Sequence, residues 1–172
     1  MKKYLTILFL LLCFGCKGII KEEVQVVQNF NLNKYLGTWY EIARLDHKFE
    51  KGLEKVSANY SLDKKGRIIV FNQGYNPKKD KWKSVKGKAK LIDKSNPNIG
   101  KLKVSFFWPF YGDYNIIVLD KNYQYAIVTG RSKNYLWILS RNKKMDKKTL
   151  KKLVANTKKM GFETEDLIYV KQ

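Results

Sequence analysis

Cysteine and histidine are almost missing from this chain. Its 172 residues hold two cysteines, Cys13 and Cys16, both close to the start, and one histidine, His47. If Cys13 leaves with a leader and Cys16 is modified, the mature chain keeps neither a thiol nor a disulfide, and its stability comes from its core alone. Zinc and copper sites draw on thiolates and imidazoles, so no metal is expected. Acidic residues are also few: 15 Asp and Glu stand against 35 Lys and Arg, a formal charge of +20. Such an excess attracts phosphates, whether on nucleic acid or on an anionic membrane. The lysines are nevertheless scattered, with only small clusters such as Lys78, Lys79, Lys81 and Lys83. No Arg-rich stretch or nucleic-acid module goes with them, so no nucleic-acid partner is expected. The charge reads first as a solvated surface, and second as attraction to the headgroups of a membrane. Phosphate loops, dinucleotide fingerprints and paired-cysteine motifs are absent as well, and no cofactor is expected.

What is present begins at the N-terminus. Lys2 and Lys3 precede an apolar run from Tyr4 to Phe14, which ends in Gly15-Cys16. This is the layout of a secretory signal, and the run is too short to span a bilayer as a helix. Leu12-Cys13-Phe14-Gly15-Cys16 resembles a bacterial lipoprotein signal, although Cys13 stands where Leu is usual and Phe14 is bulky. The resemblance implies a signal peptide over 1–15, lipidation at Cys16 and a tether over 16–30. The alternative is plain secretion with cleavage nearby. Residues 31–172 form one domain, with enough chain for a single sizeable core.

Aromatic and β-branched residues are frequent through that domain, and the apolar pattern predicts strands. They are Thr38–Leu45, Lys55–Leu62, Arg67–Gln73, Lys81–Leu91, Leu102–Trp108, Tyr114–Leu119, Tyr123–Thr129 and Tyr135–Ser140. Turn signals such as Asp63-Lys64-Lys65-Gly66 and Ser95-Asn96-Pro97-Asn98 separate them. The period then changes. Asp146 is a suitable N-cap, Leu150, Leu153, Val154 and Met160 recur at helical spacing, and Gly161 is a suitable stop. A short strand, Leu167–Val170, closes the chain. The fold class is therefore all-β: an eight-stranded antiparallel up-and-down β-barrel, with a C-terminal α-helix packed outside and a short final strand. Eight strands is the number at which a closed barrel has room for one small ligand.

Three motifs carry a family resemblance. Gly37-Thr38-Trp39 begins the first strand, Asp120-Lys121-Asn122-Tyr123 precedes the seventh, and Ser140-Arg141 ends the eighth. In this order they resemble the lipocalin family. Leu45–Gly52, Asn72–Pro77, Val104–Gly112 and Tyr135–Arg141 further resemble the bacterial outer-membrane lipocalins. The related animal apolipoprotein D proteins share Asn59-Tyr60-Ser61-Leu62 and Asn72-Gln73. Gly37 lets the chain turn into the barrel without a Cβ clash. Trp39 is expected to plug the closed end under the Arg141 guanidinium, and Asp120 and Tyr123 to fix a turn.

Alternation puts Val56, Ala58 and Tyr60 on one face, as it does Ile68, Val70 and Asn72, and Trp137, Leu139 and Arg141. The resemblance assigns ligand contacts to Tyr60, Asn72 and Trp137, and to Tyr111 near the mouth. It implies a fatty acid or lysophospholipid ligand, a lipid-anchored place in the cell envelope (outer membrane facing the periplasm) and a role in envelope maintenance. A homodimer is left open.

The signals that look catalytic are weak. His47 lies beside Asp46 and Glu50, but no Ser or Cys nucleophile goes with it. Glu41, next to Trp39, reads as a buried acid with a hydrogen-bond partner. Asn59-Tyr60-Ser61 matches a glycosylation pattern by coincidence, in mid-strand. The chain is therefore read as a binding protein and not an enzyme. The alternatives are a lipid-modifying or isomerase activity, or a basic envelope interaction protein without a cavity ligand.

Overall fold

A computed structural model describes residues 25–172. The signal peptide expected over 1–15, the lipidation expected at Cys16 and the first part of the tether lie outside the described residues. The rest of that tether is not loose chain. Val27 N–H donates to Ile116 O at 2.9 Å, Val27 O accepts from Gly100 N–H at 2.9 Å, and Phe30 is fully buried. The packed domain thus starts before residue 31, because Phe30 fills the bottom of the core.

A short helix, α1 (Leu32–Tyr35), is capped by the Asn31 side chain. Eight strands follow: β1 (Gly37–Arg44), β2 (Glu54–Leu62), β3 (Ile68–Asn76), β4 (Lys81–Leu91), β5 (Lys101–Phe107), β6 (Phe110–Leu119), β7 (Tyr125–Thr129) and β8 (Leu136–Ser140). Then come α2 (Lys147–Lys159), a 3-10 turn (Thr164–Asp166) and β9 (Ile168–Tyr169). Each strand pairs antiparallel with the next, and β1 pairs with both β2 and β8, which closes the barrel. Closure leaves no exposed edge on the eight strands. β9 adds to β1 at Ala43 and Arg44, and Gln172 Nε2 donates to Glu41 O (2.6 Å) and Val56 O (2.9 Å). The C-terminus so fills the gap where β1 and β2 diverge.

Three strands differ from the sequence expectation by two residues or more. β3 runs on to Asn76, not Gln73, because β4 supplies partners as far as Lys81. β6 begins at Phe110, not Tyr114, because Trp108-Pro109 form a tight hairpin and the β5–β6 ladder runs on to Phe107↔Phe110. β7 begins at Tyr125, not Tyr123, since Asp120–Gln124 is a turn. There Asp120 Oδ2 accepts from Asn122 N–H and Gln124 N–H.

The alternation of each strand splits the apolar residues into two cores. Trp39, Tyr60, Val70, Leu102, Ile116, Val128 and Leu139 pack inside the barrel. Ile42, Ala43, Ile117, Ile127, Leu136 and Ile138 face outward and are covered by Leu153, Phe162 and Leu167. α2 is amphipathic and starts where Asp146 Oδ1 accepts from Thr149 N–H at 2.8 Å. A bulge at Ile42 changes the register of β1 against β8. It turns both Ile42 and Ala43 to the helix side and returns Arg44 to the interior, opposite Trp137.

Candidate functional site

The inner wall follows from the ladders, since directly paired residues share a face. Trp39↔Ala58↔Asn72↔Val85 is one inward row, and Gly37↔Tyr60↔Val70↔Gly87 is the row below it. A side chain at Gly87 would meet Ser105 O at 2.5 Å and the Phe106 ring at 2.6 Å, so its absence gives Phe106 room to cross the interior.

The closed end is deeply buried. Trp39 is fully buried and its Nε1–H donates to Tyr35 O at 2.8 Å. The Arg141 guanidinium lies 4.0 Å from the Trp39 ring centre. The same group donates to Lys34 O (2.8 Å), Thr38 O (3.0 Å) and Tyr123 O (3.3 Å), which ties α1, β1 and the β6–β7 turn together. Gly37 has φ +93°, and a Cβ there would sit 3.2 Å from Arg141 Nη1. Tyr123, at φ 59°, accepts from Asn31 N–H through its hydroxyl. Tyr35, Tyr60 and Tyr114 meet above this plug. The Tyr114 hydroxyl is 2.7 Å from that of Tyr35 and 2.8 Å from that of Tyr60. Burial pushes all three phenols up, so they stay neutral hydrogen-bonding groups at the base of the interior.

Towards the open end the wall becomes partly accessible. Val85 faces inward yet is 37% exposed, while Ala58, Asn72, Val104 and Trp137 are half-buried. Asn72 Oδ1 is buried without a hydrogen-bond partner. The β1–β2 loop, Leu45–Leu53, bends over one side of the mouth. Arg44 holds it there: Nη1 donates to Glu41 Oε1 at 2.7 Å and Nη2 to Glu50 O at 2.8 Å. Glu50 Oε2 accepts from Trp137 Nε1–H at 3.1 Å and lies 2.9 Å from His47 Nε2. The His47 ring packs 5.1 Å from that of Trp137. Burial, with the nearby Glu50 charge, lifts Glu41 well above the usual carboxylate range, and Arg44 offsets part of this. For Glu50 burial also works upward, but His47, the Trp137 N–H and Arg44 outweigh it, and its carboxyl is held low.

The expected site residues therefore divide. Tyr60, Asn72 and Trp137 all line the interior. Tyr111 does not join them. Tyr114 faces in, so Tyr111, three positions earlier on the same strand, faces out, with Lys90 Nζ 4.4 Å from its ring centre. The inward residue of that strand is Tyr114, which sequence reasoning passed over together with Tyr35 and Arg44. Strict alternation along β6 from Ile116 was the signal that would have found it. Among the described residues, no cluster of three or more His, Cys, Asp or Glu is placed to hold a metal ion. A groove of about 570 Å³ lies outside the closed end, between Val27–Asn31 and Asp120–Tyr123, and is half polar and open to water.

Comparison with known proteins places this geometry. Residues 30–172 match the family model described as a lipocalin-like domain. The outer membrane lipoprotein Blc of Citrobacter freundii is 50% identical over 151 residues, 88% of this chain and 84% of that protein. Its counterpart in Vibrio cholerae is 48% identical over 170 residues, 96% of this chain and 98% of that one. Apolipoprotein D of Mus musculus is more distant, 35% identical over 150 residues, 83% of this chain and 77% of its own length. Insecticyanin from the tobacco hornworm Manduca sexta shares the fold with a TM-score of 0.70 at 22% identity, covering 87% of this chain and 85% of its own.

Proposed function

The chain belongs to the lipocalin family, and on that footing we propose that it holds a fatty acid or lysophospholipid in its barrel and stores or carries it in the cell envelope. The supporting observation is the graded inner wall: a buried base, then Tyr hydroxyls, then a partly accessible stretch containing Val85 and the unpartnered Asn72 Oδ1. An acyl chain entering there gains about 0.8 kcal/mol per buried CH₂. Tyr60, Asn72 and Trp137 touch it, and the chain acts by binding, not by catalysis. Anchoring is supported by the relatives, which are named outer membrane lipoproteins. Lipidation at Cys16 holds the barrel to the outer membrane, facing the periplasm.

The test is to strip the protein of lipid and titrate it with a lysophospholipid, following Trp fluorescence and heat. Saturable binding is expected, weakened about tenfold by Trp137→Ala, a change worth ~1.4 kcal/mol. Flat fluorescence and no heat across several lipids overturn the reading. Incorporation of labelled palmitate, lost in Cys16→Ser, tests the anchor separately.

A further inference from the structure

The open end carries aromatic side chains that neither core uses. Phe107, Trp108 and Phe110, at the β5–β6 hairpin tip, are 71%, 84% and 77% exposed. Phe49, on the loop over the mouth, is 75% exposed, and Trp82, at the start of β4, is 57% exposed. Single exposed apolar residues are ordinary, whereas several large aromatics on adjacent loops at one end are not. Lysines share this end of the barrel: Lys48 and Lys51 on the mouth loop, and Lys78, Lys79 and Lys81 at the β3–β4 turn, all exposed. Asp46 and Asp80, which lie among them, are already engaged by Lys51 and Tyr75. Aromatic tips beside lysine-bearing loops match the interfacial layer of an anionic bilayer, where rings sit at headgroup depth and ammonium groups meet phosphates.

We propose that this open-end tip is a docking surface for an anionic lipid bilayer, which sets the barrel mouth against the membrane. The chain's connectivity permits it. The N-terminal arm enters at the closed end, opposite the tip. The eleven residues from Cys16 to Val27 reach at most ~36–40 Å if extended, longer than a ten-residue strand at ~33 Å. An anchor at Cys16 (which rests on the function proposed above) is therefore compatible with a mouth that faces the same bilayer. The docking itself depends on neither that anchor nor the identity of the ligand.

Residues 25–172 hold every described strand, both described cores and the residues that match the family model, so this segment carries the closed barrel without Cys16 or the apolar N-terminal run. It is mixed with vesicles of phosphatidylcholine, with or without phosphatidylglycerol, and sedimented. Binding to the anionic vesicles is expected, with a blue shift of Trp emission and weakening at high salt. The triple variant Phe107→Ser, Trp108→Ser, Phe110→Ser is expected to bind about tenfold less or weaker still, with an unchanged melting temperature. Asn72→Ala, in the wall away from the mouth loop, is expected to bind vesicles normally while losing lysophospholipid affinity, which separates this proposal from the preceding one. Absence of vesicle binding, or a triple variant that binds like the parent, overturns the docking surface. So does a tip that proves to be a self-association face, shown by a dimer that the triple variant abolishes while vesicle binding persists.

Discussion

Glu50 illustrates how one side chain can carry both a loop and a wall. It sits on the loop that bends over the mouth, yet its carboxylate is held from inside the barrel by Trp137 and His47. These partners, with Arg44, hold its carboxyl below the usual range despite burial. A carboxyl depressed on folding stabilises the native state above its unfolded pKa of ~4.3 and loses that contribution as pH falls through the folded value. Glu50→Gln is therefore expected to lower the melting temperature at pH 7. The gap between variant and parent should close as pH drops below about 4. Thermal melts of both proteins across pH 3–7 measure this. A gap that stays constant with pH means that the Glu50 charge does not hold the loop. Cavity residues divide by how they were legible. Tyr60, Asn72 and Trp137 follow a simple alternation and do face inward. Tyr111 was placed by family likeness, and the alternation from Tyr114 turns it outward. The Tyr35–Tyr114–Tyr60 contact joins a helix to two separate strands, and no local pattern reveals such a meeting.

Among the elements, α2 shows what a period can and cannot say. Its apolar spacing and Asp146 cap were readable, and it packs on the outward residues of β1, β7 and β8. That contact belongs to the outer core, so it stabilises the barrel without touching the interior. Leu153→Ala is expected to cost about 2–4 kcal/mol, with the lysophospholipid dissociation constant unchanged within twofold. Urea unfolding and the lipid titration together check it, and a large affinity loss would show that the two cores are coupled. All eight barrel strands were legible because apolar runs and turn residues alternate regularly. Their ends were less so. Nothing local distinguishes Phe110–Asp113 as strand; the residues lie there because β5 supplies partners up to Phe107. Tyr123 and Gln124, at the end of the Asp120 turn, ran the other way. Both suit a strand, but the Asp120 carboxylate captures the backbone N–H groups that a ladder would need.

Over the whole molecule, the formal charge of +20 and the barrel serve different ends. On β4, Lys86, Lys88 and Lys90 stand on the outward face, while Lys81 and Lys83 share the parity of Val85 near the mouth. Further lysines lie on open-end turns and on α2, and the apolar residues fill two nested cores. Composition had already pointed to a membrane headgroup layer as the lesser reading of that charge, and the exposed aromatic tip gives the reading a location. Topology carries a kinetic consequence. β1 is hydrogen-bonded on one side to β2, its neighbour in sequence, and on the other to β8, near the end of the domain. Such distant pairing makes for a slow fold, on a scale of roughly milliseconds to seconds. A chain still growing, or being threaded through a membrane, has no β8 to offer β1. The cylinder stays an open, curling ribbon until the last of its eight barrel strands arrives, so the seam that later makes it a container also keeps the unfinished chain thread-like.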